Sequence, residues 1–242
     1  MWLLAALVSI ADIGPISAGD SLRIAEKERL HACMTKLIDA PGDAYEDGLA
    51  WLGEGGRPAA HHCTALALIE LGHAAEGALR LEELASEDNS STLTERITYL
   101  TQAGNAWLLA RQPEAALLTF DNALRLKPKD AHLHADKAAT YMQMEEWEQA
   151  LDYLDSALTG LGEDAAILKM RAEVLYQLGD WGRALGDVYT VMALDPEDID
   201  ILVIRGAVRE AMRLQSLGQV AQPLRLRNPE TRQYEALRKA GR

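Results

Sequence analysis

Residues 97–130 read ITYLTQAGNAWLLARQPEAALLTFDNALRLKPKD, residues 131–164 read AHLHADKAATYMQMEEWEQALDYLDSALTGLGED, and residues 165–198 read AAILKMRAEVLYQLGDWGRALGDVYTVMALDPED. One pattern recurs at a spacing of 34 residues. Leu100, Ala103, Gly104, Trp107, Ala116, Phe120, Ala123 and Pro128 fall opposite His134, Lys137, Ala138, Tyr141, Ala150, Leu154, Ala157 and Gly162. These in turn fall opposite Leu168, Arg171, Ala172, Leu175, Ala184, Val188, Val191 and Pro196. Within each segment apolar residues recur at intervals of three and four in two runs, so each segment is a pair of amphipathic helices. Small residues at 104, 138 and 172 and alanines at 116, 150 and 184 mark where neighbouring helices cross closely. Trp147 and Trp181 stand just before the second helix, where an indole fills the wedge of a hairpin. Lys127-Pro128 and Asp195-Pro196 stop their units, because proline cannot continue a helix.

This period and its small, aromatic, alanine, bulky and proline places resemble the tetratricopeptide repeat. The resemblance implies an all-α protein, an α-solenoid of antiparallel helix hairpins stacked in a right-handed superhelix, whose first helices line a concave groove. It also implies that the groove accepts an extended peptide or a partner's helix. By the family's register, the residues looking into it include Thr98, Thr101, Asn105 and Leu108; His132, Ala139 and Met142; and Lys169, Glu173 and Tyr176. Asn105 stands where many relatives bond a ligand backbone, a task suited to an amide that both donates and accepts. The chaperone-binding relatives clamp a terminal carboxylate with cations. This chain departs from them, with Thr101 for the expected Lys, Asp136 for the expected Asn, and Ala166 and Met170 for the basic pair. The expected partner is therefore a peptide or protein not held by its C-terminal carboxylate.

Working outward toward the start, residues 58–96 form a degenerate repeat and loop. Ala65, Leu68 and Leu71 give a first helix up to Gly72; Gly77, Leu81 and Leu84 fit the second; and residues 86–94 form a polar loop. Residues 21–57 make a divergent opening hairpin turning at Asp39-Ala40-Pro41-Gly42. The register sets Cys33 and Cys63 facing each other if consecutive first helices pack side by side. A disulfide closing 30 residues stabilises by roughly 3–4 kcal/mol in the chain-entropy model and belongs to an oxidising compartment; the alternative is two buried thiols. His61, His62 and Cys63, with His31 and Cys33, are metal-ligand types. Neighbours on a helix point about 100° apart, so His61 and His62 cannot both face one ion with Cys63 without distortion; no metal or cofactor is expected, and a His/Cys metal-binding protein is the remote alternative.

Residues 1–20, MWLLAALVSIADIGPISAGD, hold an apolar run about half the length that spans a bilayer, followed by small residues suited to signal-peptide cleavage near Ala18. No Lys or Arg precedes the run. Export to the periplasm or beyond is the leading reading; a cytoplasmic adaptor with an unprocessed N-terminal helix is the alternative. At the other end, residues 199–242 form a partial repeat and a capping helix, with Gly218, Pro223 and Pro229 interrupting the second helix and Asn228-Pro229-Glu230 starting the last. Arg205 continues a column with Lys137 and Arg171, read as a repeated use of the long aliphatic stem.

The net charge of −13 argues against a general nucleic-acid binder. Residues 201–242 are basic, with nine Lys or Arg against three Glu, so membrane contact is expected only through this end or the N-terminal segment. No phosphate loop, nucleophile elbow or carboxylate pair is recognisable, and no small-molecule substrate is expected. The sequence therefore points to a non-enzymatic, protein-binding scaffold of a bacterial envelope.

Overall fold

The computed structural model describes residues 18–55, 57–86 and 92–221. The described residues form eleven α-helices and no strand: α1 Ala18–Asp39, α2 Pro41–Gly53, α3 Pro58–Glu70, α4 Ala74–Ser86, α5 Leu93–Leu109, α6 Pro113–Leu126, α7 Ala131–Gln143, α8 Trp147–Leu161, α9 Ala165–Gln177, α10 Trp181–Leu194 and α11 Ile199–Ser216. None of them is long and apolar enough to cross a membrane. The signal-peptide reading of residues 1–20 lies outside the described residues except for residues 18–20, which begin α1, and the last helix from 228 lies outside them altogether.

Each helix begins for a local reason. Proline occupies the first turn of α2, α3 and α6, where its missing N–H costs nothing. Asp130, Asp164 and Asp198 cap α7, α9 and α11, accepting backbone N–H bonds from Leu133, Ile167 and Ile201 at 3.3, 3.0 and 3.1 Å. They repeat at the spacing of the units. Thr92 and Glu95 form a reciprocal capping box, so α5 starts at Leu93 and the polar loop expected over 86–94 is shorter than the composition suggests.

Every first helix from α3 onward also ends alike. The chain enters the left-handed region at Gly72, Arg111, Glu145, Gly179 and Gly218. The following N–H then returns to the carbonyl five residues back, at 2.8 Å for His73 to Leu68 and 2.9 Å for the other four. Gly218 therefore does not interrupt a second helix, as expected above. It closes α11, a first helix that runs longer than its equivalents.

Helices adjacent in sequence pack as antiparallel neighbours, and α5–α7, α7–α9 and α9–α11 also touch directly, whereas successive second helices approach one another less closely. The first helices are thus the inner layer of a stacked α-solenoid. Ala116, Ala150 and Ala184 are fully buried at the crossings, and so are Phe120, Leu154 and Val188 one turn on. Gly104 shows why size matters: a Cβ there would lie 2.4 Å from the Phe120 ring. Trp147 and Trp181 are half-buried against the cores of their hairpins, as the sequence indicates.

At the N-terminal end Cys33 of α1 and Cys63 of α3 are joined in a disulfide, their Cα atoms 6.1 Å apart. Apart from Cys33, Leu37 is the one other described side chain that α1 buries. The covalent bond therefore carries much of the attachment of α1, beside its surface ion pairs Arg29–Glu54, Lys36–Asp47 and Arg57–Glu26.

Candidate partner-binding groove

The register of α7 shows how the inner face is made. At about 100° per residue, Leu133, His134, Lys137 and Tyr141 share one side, and the contacts of three of them place that side against the second helices. His134 stacks on Tyr153 of α8 at 5.8 Å, Tyr141 stacks on it at 5.4 Å, and Lys137 bonds both Asp121 of α6 and Tyr153. On the opposite side fall His132, Ala135, Asp136, Ala139 and Gln143. This is the side turned to the hollow of the stack.

The expected groove residues divide into three kinds. Thr98 and His132 are exposed, and Thr101, Asn105, Ala139 and Met142 are half-buried. The threonine hydroxyls turn back onto their own helix, Thr98 to the Thr94 carbonyl at 3.0 Å and Thr101 to the Ile97 carbonyl at 2.9 Å. Lys169 has structural work: its ammonium lies 2.5 Å from the Asp198 carboxylate and 4.0 Å from Asp200, tying α9 to the cap of α11. Burial opposes the charge of Asp198, yet Lys169 and the Ile201 amide hold its carboxyl below the usual range. Glu173 on the same helix is half-buried.

Leu108 and Tyr176 correct the sequence reading. Leu108 is 2% exposed in a core shared with Leu133 of the next unit, and Tyr176 is 7% exposed among residues of α10 and α11. Both stand at the twelfth place of a first helix, where the next hairpin closes over a bulky side chain. Neither presents an open surface.

Next to this face, His62 of α3 is buried, with Nε2 2.7 Å from Oε1 of Gln102 on α5 and its ring edge-on to Tyr99 at 4.8 Å. Burial pushes its pKa down, so the imidazole is neutral. Cys63 is consumed by the disulfide. His62 and Cys63 are therefore used for packing, hydrogen bonding and the covalent link to α1.

The column of cations is used by its heads rather than its stems, a second correction. Lys137 joins Asp121 of the preceding unit, at 2.6 Å, to Tyr153 of its own, at 2.8 Å. Arg171 likewise joins Asp155, at 2.6 Å, to Asp187, at 2.8 Å through both Nε and Nη2. At the boundary before them Glu82 of α4 accepts from Trp107 Nε1 at 3.1 Å and from the Thr119 hydroxyl. A carboxylate on each of α4, α6 and α8 is thus reached by the following unit. Arg205, next in the column, has its Nη1 3.4 Å from Met192 Sδ.

No family model and no curated protein matches the chain. Solved structures do. The chain is similar to TTC0263, a thermophilic TPR protein of Thermus thermophilus, with a TM-score of 0.55 and 20% identity over 76% of this chain and 99% of that one. It is similar to the crystal structure of MamA, with a TM-score of 0.55 and 12% identity over 73% and 94% of the two chains. Period, hairpin packing and these likenesses agree: the chain has the tetratricopeptide-repeat fold.

Proposed function

We propose that the protein is a non-catalytic scaffold that holds an extended peptide or a partner's helix along the inner face of α5, α7 and α9. The observation that supports this most is the Asn105 amide, half-buried on that face without a hydrogen bond to any described side chain or backbone group. It offers a donor and an acceptor to a passing backbone. Small or short side chains at Thr98, Thr101, Ala135 and Ala139 leave that path open beside it. The Cys33–Cys63 disulfide favours an oxidising compartment, and with the apolar stretch at 2–11 it supports export to a bacterial periplasm.

The test is site-specific photo-crosslinking in the native host with the probe at His132, which is exposed on the inner face. The expected result is one discrete protein adduct that is lost on Asn105→Ala while the melting temperature stays within a few degrees. An adduct indifferent to Asn105→Ala, or none, removes the groove from this role. The mass of the uncrosslinked protein reads out processing near Ala18 and the two hydrogens lost to the disulfide.

A further inference from the structure

The inner face has an unbalanced charge at its centre. All four Lys and Arg side chains of α5, α7 and α9 are already engaged. Arg96 donates to the Ala85 carbonyl at 2.7 Å, Lys137 and Arg171 hold the unit boundaries, and Lys169 is bound to Asp198. Asp136, on the inner side of α7 by the register given above, is half-buried, and no described residue forms a hydrogen bond or ion pair with its carboxyl. Burial, with the like charge of Asp130 adding to it, pushes its pKa up to about 7. A carboxyl so placed is short of a cation. Beside it on the same face, the small side chains of Ala135 and Ala139 leave room for a long aliphatic stem.

We propose that the partner presents a lysine or arginine to Asp136, so that the groove selects extended segments carrying a basic residue at that place. This rests on the groove reading above and gives it a chemistry: the partner is recognised by an internal cation, the opposite of a clamp for a terminal carboxylate. An acidic surface over the chain as a whole, −13 in net charge, draws such a segment in.

The experiment uses the full chain and a randomised library of ten-residue peptides, acetylated and amidated at their ends, with selected peptides measured by fluorescence anisotropy. Selected peptides are expected to be enriched in Lys or Arg at one position. Replacing that residue by norleucine is expected to weaken binding at least tenfold, Asp136→Asn to weaken it by a similar factor, and the two together to weaken it little further, which is the signature of a direct pair. Asp136→Asn preserves shape, and its melting temperature controls for folding. Selected peptides without a basic residue, or an equal norleucine loss on both proteins, overturn the proposal while leaving the groove reading standing. A library that yields no binder, or only binders indifferent to Asn105→Ala, overturns both.

Discussion

Arg171 and Asp187 form a two-pronged pair inside one repeat, Nε and Nη2 each 2.8 Å from a different carboxylate oxygen, while the third nitrogen of the same guanidinium crosses to Asp155 of the repeat before. Asp187 is 7% exposed, so the carboxylate has little water to fall back on. Asp187 supplies the largest influence raising the Arg171 pKa, and the cation stays charged throughout. Arg171→Met is expected to destabilise by about 2–4 kcal/mol, because it strands a buried charge. Arg171→Met with Asp187→Leu is expected to recover a good part of that loss. Urea unfolding followed by circular dichroism decides; a single variant as stable as the parent contradicts this account.

The disulfide predicts a local effect. Cys33→Ala with Cys63→Ala is expected to remove roughly 2–4 kcal/mol from the attachment of α1. In a stack where each unit touches only its neighbours, the loss should stay near residues 18–57. Hydrogen exchange read by mass spectrometry should show faster exchange there and unchanged protection over α5–α10. Uniformly faster exchange would count against a nearest-neighbour description.

Asp136 gives the pH dependence. Its folded-state pKa of about 7 lies above its value in an unfolded chain, near 3.9. The folded state therefore holds the extra proton in between, and stability falls as pH rises from about 4 to 7. Asp136→Asn is expected to be neutral at pH 4 and stabilising by on the order of 1–3 kcal/mol at pH 8, after discounting for partial exposure. Parallel melting curves for variant and parent across this range would refute it.

Glu145 occupies the left-handed region with φ at 59°, where Gly72, Gly179 and Gly218 stand in equivalent turns. Glu145→Gly is expected to stabilise by about 0.5–1 kcal/mol, relief of backbone strain exceeding the added chain entropy. Chemical denaturation measures it, and a loss of stability would show that the turn holds its glutamate without strain.

The architecture was legible because a hairpin that cannot bury its own apolar face must repeat, and repetition writes a period into the sequence. The left-handed turns at Arg111 and Glu145 were not, since neither residue type signals one. The caps Asp130, Asp164 and Asp198 do follow the period, although the prolines beside two of them give the stronger signal. On the inner face, place alone picked out the exposed Thr98 and His132 and the half-buried Asn105, but it failed at the buried Leu108 and Tyr176. Whether a twelfth-place side chain is open depends on its bulk and on the hairpin that follows, which no spacing within one unit records. The cation column was visible as a column. Its chemistry was not, because Asp121 and Asp155 lie on the preceding units, and only packing brings them to Lys137 and Arg171.

The first unit and the central ones are fastened by unlike chemistry, a covalent sulfur bridge between α1 and α3 and charge-assisted bonds between α6 and α10. A thiol reductant should loosen the former and leave the latter intact, whereas concentrated salt, which screens exposed charges most, should weaken the surface pairs of α1 more than the buried Arg171–Asp187 pair. The N-terminal unit can therefore be softened by itself in a single chain, which makes it possible to ask whether a bound partner stiffens it.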